Sequence, residues 1–171
     1  MGNETKTLVL KAAKTAILPL GYRGRRRPGD VVMLLYHRIG AGGRQIDLSE
    51  SALDRQLRYL SDRDRVLSLD QAVGSPNGGG VVVTFDDGYR DFHERVLPRL
   101  VRYRTPAVLY LATGLVWGEA LATRGQALTW SQLREAVSTG LVTVGAHTHG
   151  HTNLSQAGRR EAEAEMRTSK E

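Results

Sequence analysis

Three glycines, Gly78-Gly79-Gly80, open directly onto Val81-Val82-Val83-Thr84-Phe85, and the run closes on Asp86-Asp87-Gly88. A short run of β-branched residues after glycines reads as a buried strand, too short for a helix of its own. Strands that are near-continuously apolar belong to parallel sheets covered by helices. Gly88 permits a sharp turn where the strand ends. Consecutive side chains at a strand end point in different directions, so Asp86 and Asp87 can take different tasks at one place. A second strand, Val142-Thr143-Val144-Gly145-Ala146, runs into His147-Thr148-His149-Gly150-His151, which holds three of the chain's five histidines. One strand end bearing carboxylates and another bearing imidazoles together make a candidate metal site.

The remaining periodicity supplies a frame for these two ends. Val31–Tyr36 reads as a fully buried first strand. Residues 48–62 carry Leu53, Leu57 and Leu60 at helical spacing, with Ser49 or Ser51 as cap. Residues 66–69 suggest a short strand and 74–80 a loop. Residues 92–103 are helical in pattern, with Val96, Leu97, Leu100 and Val101 facing inward and Pro98 near the helix start or a kink. Residues 106–111 form another buried strand. Thr129 and Gln132 make a capping box for a helix to about Ser138, which Gly140 ends. Residues 155–171 are predicted helical to the end. Strands alternating with helices indicate a parallel α/β sheet with active residues at the strand C-terminal ends.

A chain of 171 residues supports one domain with a core of its own, and 40% hydrophobic with 25% charged residues is globular composition. No cysteine is present, so any metal must take His and carboxylate ligands. The net charge of +6 comes from one end: Lys6, Lys11, Lys14, Arg23, Arg25, Arg26 and Arg27 face a single acid, Glu4, and the charges beyond them balance. This basic balance marks a tail and not a nucleic-acid-binding face. Residues 1–29 are accordingly set apart as a basic extension and linker, and 30–171 as the domain. The extension's apolar residues, interrupted by Lys11 and Lys14, make a poor signal-peptide core. They suit either a loosely ordered extension or an amphipathic helix touching an anionic membrane surface. Without a signal core or a spanning segment of about 20 apolar residues, the default expectation is the cytoplasm.

Two adjacent carboxylates repel unless a cation or proton intervenes, which weighs against Asp86-Asp87 as a mere turn cap. Aspartate-based phosphatases need Asp-x-Asp, and here the acids are adjacent. Two histidine pairings are open: His147 with His151 across the loop, or His147 with His149 on one strand face, the His-x-His arrangement of other barrel metallohydrolases. His37 ends the first strand and either lines the site or is structural. His93 reads as an exposed polar position, Arg90 and Asp91 as first-turn helix charges, and Tyr89 and Trp130 as packing or sugar-contacting aromatics.

Thr84-Phe85-Asp86-Asp87-Gly88-Tyr89 resembles the first motif of the NodB-type polysaccharide deacetylases (carbohydrate esterase family 4), and His147-Thr148-His149-Gly150-His151 resembles their second. Tyr36-His37-Arg38-Ile39-Gly40 and Leu128-Thr129-Trp130 are also similar to this family. The resemblance implies a distorted (β/α) barrel and metal-dependent hydrolysis of N-acetyl groups on a carbohydrate polymer or oligomer. It implies Asp86 as catalytic base and Asp87, His147 and His151 as ligands of a divalent ion, zinc foremost, with His149 a loop residue or one behind the ligands. It also admits a cell-envelope or extracellular setting. Family members continue with Arg-x-Pro-aromatic, Asp/Trp and Leu-x-His segments, which do not follow His151 in this chain. The expectation is therefore a barrel incomplete at its C-terminal side, with a split, catalytically impaired metal- or sugar-binding fragment as the rival reading.

Overall fold

A computed structural model of the chain describes residues 29–42, 46–63, 65–74, 79–116 and 127–171. The basic extension, with its surface-helix reading, and all but the end of the linker lie outside the described residues. In chain order the elements are β1 (Val31–Tyr36), β2 (Arg38–Ile39), β3 (Asp47–Leu48), α1 (Glu50–Arg63), α2 (Leu69–Gly74) and β4 (Gly80–Asp87). A π-helical turn (Phe92–Val96) follows and leads into α3 (Leu97–Tyr103), β5 (Ala107–Leu111), α4 (Thr113–Val116), α5 (Trp130–Ser138), β6 (Val142–Ala146) and α6 (Arg159–Thr168).

The four long strands form one parallel sheet in the order β1-β4-β5-β6, and β2 pairs β3 in a separate two-residue ladder. The order never reverses, which is how a (β/α) barrel winds; a doubly wound sheet reverses direction at a switch point. The expected α/β class of parallel strands is observed. Among the described residues no helix is long and apolar enough to cross a membrane.

Strand alternation divides the core between the two faces of the sheet. Val81, Val83 and Phe85 of β4 pack with Ala107, Leu109 and Leu111 of β5 against Leu53 and Leu57 of α1, Leu97 and Leu100 of α3, and Leu133 and Ala136 of α5. Val82 and Val108, on the opposite face, pack in a smaller cluster with Leu67. Thr84 shares that second face and satisfies its buried hydroxyl by donating to Leu34 O at 3.1 Å. Asp86 follows in the same register, so the polar end of β4 grows out of its inner face.

Local chemistry sets the helix boundaries. The Thr129 hydroxyl accepts from Gln132 N, and Gln132 returns to Thr129 N, completing the expected capping box. Pro98 falls in the first turn of α3, where its missing N–H costs nothing. The predicted single helix over 92–103 is thus a π turn followed by an α-helix.

Four expectations are corrected. β1 is half-exposed rather than fully buried, with Met33 and Leu35 at 52% and 57% exposure, because it is an edge strand. Val101 lies outward at 49% exposure, because within α3 it falls about 70° from the centre of the face that buries Leu97 and Leu100. Residues 66–69 make one bridge, Val66 to Val81, before α2 begins at Leu69. The terminal helix spans only Arg159–Thr168, after a turn at 154–156.

Candidate metal centre

The C-terminal ends of β4 and β6 lie on either side of β5, which brings residues about 60 positions apart to one place. Asp86 and Asp87 are buried at 7% and 5% exposure. Asp87 takes φ +75° and Gly88 φ +86°, so the strand's regular alternation stops at Asp87. A Cβ on Gly88 would run into Leu111 Cδ1, so glycine is required there by space as well as by φ. Asp86 and Asp87 therefore project differently although they are neighbours.

His147 and His151 meet Asp87. His151 Nε2 lies 3.0 Å and His147 Nε2 3.5 Å from Asp87 Oδ1. The three donor atoms fall within 4.8 Å of one another. Asp87 Oδ1 is buried yet has no hydrogen-bond partner among the described residues, neither imidazole meeting it in donor geometry. A buried carboxylate oxygen lacking a donor and facing two ring nitrogens is a position that a divalent cation completes. Donor atoms around a tetrahedral zinc sit about 3.3 Å apart, and the two Asp87–imidazole separations bracket that spacing. His151 itself has φ +58° and Thr148 φ +64°. Left-handed backbone at two of the three clustered residues is strain of the kind that collects at functional sites.

Asp86 Oδ2 stands 4.0 Å from His147 Nε2 and 3.8 Å from His37 Nε2. Its pKa is raised by burial, with His147 and His37 working the other way and the Asp87 charge adding to the rise. Of the two readings for His37, the one that lines the site is the one its position fits.

His149 turns away from the cluster. Its Nδ1 lies 2.9 Å from Thr113 Oγ1 at the start of α4. Gly114 N donates to His149 O at 2.8 Å and Thr113 N to Thr148 O at 3.4 Å. A Cβ on Gly114 would approach that same His149 oxygen to 2.8 Å, so the close docking of the two loops needs glycine there. The His-x-His pairing does not form; the pair across the loop does.

Other expectations change. Asp91 stands at the first helical turn as expected, but it is buried there: it accepts from Arg38 Nε at 3.2 Å and Ile39 N at 3.4 Å, tying the turn after β4 to β2. Burial raises its pKa, and the Arg38 bond offsets part of the rise. His93 pairs with Glu135 Oε2 at 2.9 Å, bridging the π turn and α5. Tyr89 is buried beneath the Arg38 guanidinium, which fits packing. Thr113 and Asp91 owe their roles to partners far along the chain, and no local pattern announces them.

Comparison with known proteins agrees with this geometry. A family model described as "Polysaccharide deacetylase" matches residues 74–171. The chain is 31% identical over 136 residues to a poly-β-1,6-N-acetyl-D-glucosamine N-deacetylase of Escherichia coli (strain K12), covering 68% of this chain and 20% of that protein. It is 27% identical over 156 residues to a Staphylococcus aureus (strain MRSA252) protein of the same name, covering 86% of this chain and 53% of that one. The chain thus spans about a fifth and about half of the length of these two curated relatives. Among solved structures, the Streptococcus pyogenes deacetylase PplD in complex with acetate superposes with a TM-score of 0.71 at 27% identity, covering 84% of this chain and 67% of that one.

Proposed function

The chain belongs to the polysaccharide deacetylase family, and from that membership and the centre at the β4 and β6 ends we propose that it serves metal-dependent hydrolysis of N-acetyl groups on a carbohydrate polymer or oligomer. The observation that carries this reading is the convergence of His147 and His151 Nε2 on the orphaned Asp87 Oδ1, with Asp86 alongside. Asp87, His147 and His151 would hold the ion, and a mixed His/carboxylate set favours zinc. When bound, such an ion acidifies water and polarises a carbonyl.

The chain's own residues then divide the remaining work. Asp86 is the base: its carboxylate accepts the proton of the attacking water, and burial that raises its pKa makes it the stronger acceptor. His37 and His147 Nε2 flank Asp86 Oδ2 at 3.8 Å and 4.0 Å. The amide C–N bond breaks as its nitrogen receives the proton that Asp86 took from water, releasing acetate and leaving a free amine on the sugar. An open cleft of about 960 Å³ reaches His147 and His151 from the side of α6, and its size suits sugar units. The names of the two curated relatives support N-acetylglucosamine polymers as the substrate class. We place the deacetylase domain at 30–171 and treat 1–29 as a basic extension beside it.

The test pairs binding with turnover. Zinc titrated calorimetrically into metal-free protein should bind at one site per chain. Acetate release from an acetylated chito-oligosaccharide or poly-N-acetylglucosamine should require the metal and vanish in Asp86→Asn. A protein that takes up no divalent metal, or that releases acetate equally well with Asp86→Asn, contradicts the reading.

A further inference from the structure

We propose that Glu165 is a positioning residue for the metal centre: from α6 it fixes the loop between His147 and His151 so that both imidazoles reach Asp87. This rests on the reading of those three residues as ligands.

The loop carries two strained residues within five positions, Thr148 and His151. Left-handed backbone is costly for a β-branched or ring-bearing residue and persists only where the surroundings over-determine it. One side of the restraint comes from β5 and the loop after it. Leu111 O accepts from His147 N at 3.0 Å, and Thr113 N and Gly114 N hold the Thr148 and His149 carbonyls. Those bonds leave the amides of His149 and Gly150 to be satisfied.

Glu165 supplies the second side. Its Oε2 accepts from His149 N at 2.9 Å and from Gly150 N at 2.7 Å, across 16 and 15 residues of sequence. Thr152, beside the same carboxylate, further favours its charged form. The two bonds hold the amides of the two residues immediately before His151. Burial pushes the Glu165 carboxyl up, but Gly150, Thr152 and His149 together hold it below the usual glutamate value, so it works as the anion. The other acids of α6, Glu161 and Glu163, are exposed, and Glu163 is engaged with Arg159. Among the described residues, Glu165 is the acid of α6 that hydrogen-bonds the ligand loop.

Groups that orient metal ligands from behind typically contribute a factor of about 10–100 in metal affinity. A residue that only stabilises the fold would lower the melting temperature of the metal-free chain without changing zinc affinity. The experiment measures both for the full 171-residue chain, Glu165→Ala, Glu165→Gln and the exposed control Glu163→Ala. Zinc Kd by competition with a chromogenic chelator should rise about 10–100-fold in Glu165→Ala. It should rise less, about threefold to tenfold, in Glu165→Gln, which keeps a carbonyl acceptor but loses the charge. Glu163→Ala should match the wild type. If Glu165→Ala fails to fold by circular dichroism, Glu165→Gln decides, and an unchanged Kd in that variant overturns the proposal. Wild-type zinc binding with an unaffected Glu165→Ala sinks this inference alone. Absence of zinc binding by the wild-type chain sinks the ligand assignment and this inference with it.

Discussion

Asp87 Oδ1 and His151 Nε2 lie 3.0 Å apart, and both residues hold their backbones in the left-handed region, at φ +75° and φ +58°. Two residues 64 positions apart in sequence thus carry the same kind of local strain at the point where they meet. Neither is glycine, for which such angles are free. Strain at both partners of one contact is what the proposed metal ion, shared between them, would account for.

That relationship predicts unequal roles for the three histidines of the second loop. His147→Ala with His151→Ala should abolish uptake of zinc, measured by metal analysis after dialysis. His149→Ala should largely retain it, because its ring engages Thr113 and its clamped groups are backbone. Loss of metal in His149→Ala equal to that in the double variant would return the His-x-His pairing to consideration.

The acid pair should separate in the same assay. Asp87→Asn removes the orphaned anionic oxygen and should lose metal, whereas Asp86→Asn should keep metal content near normal and remove hydrolysis. The rate loss expected for deleting a general base is about 10²–10⁴-fold. Equal metal loss in both variants would erase the distinction between base and ligand.

Asp86 also gives the metal-free protein a definite pH signature. Its folded pKa is raised, chiefly by burial, so the folded state holds that proton more tightly than the unfolded chain. Its contribution to stability is therefore fully present below the ordinary aspartate pKa of about 3.9 and is lost as pH rises through the folded value. Asp86→Asn should raise the melting temperature of the metal-free chain at neutral pH, and the gain should shrink on acidification. A gain independent of pH would mean that burial of the charge is not its source.

Gly88 should resist substitution. Gly88→Ala places a methyl group into Leu111 at a backbone angle that L-residues rarely adopt, and the expected cost is about 1–3 kcal/mol in urea unfolding. Gly140 has a similar angle, φ +72°, but open space around it. Gly140→Ala should therefore cost less than Gly88→Ala; an equal loss would leave the Leu111 collision without weight.

Much of the site was legible beforehand because its members sit at the ends of strongly patterned segments. The apolar run of β4 and the shorter run of β6 declare strands by composition alone, and whatever follows a parallel strand lies at the sheet's C-terminal edge. The capping box at Thr129 was equally readable, since its partners are three residues apart. The roles of Asp91, Thr113 and Glu165 were not, because their partners lie 53, 36 and 16 residues away. Val101 faces solvent because it lies at the margin of the α3 face that Leu97 and Leu100 bury, and an apolar residue at such a margin looks the same in the sequence as one at the centre.

The sequence by itself determined the four long strands, that their sheet is parallel, and that Asp86-Asp87 and the His147–His151 loop stand at strand ends. These follow from short-range properties: side-chain branching, apolar periodicity and the freedom of Gly88 to turn. Tertiary structure decided which histidines face Asp87, that β1 leaves one face exposed as a sheet edge, and that one carboxylate of α6 braces the ligand loop. Those choices depend on strand order and on hydrogen bonds between elements far apart in the chain. A local pattern can place a side chain at an edge of the sheet, but only the packed neighbours determine which way it turns.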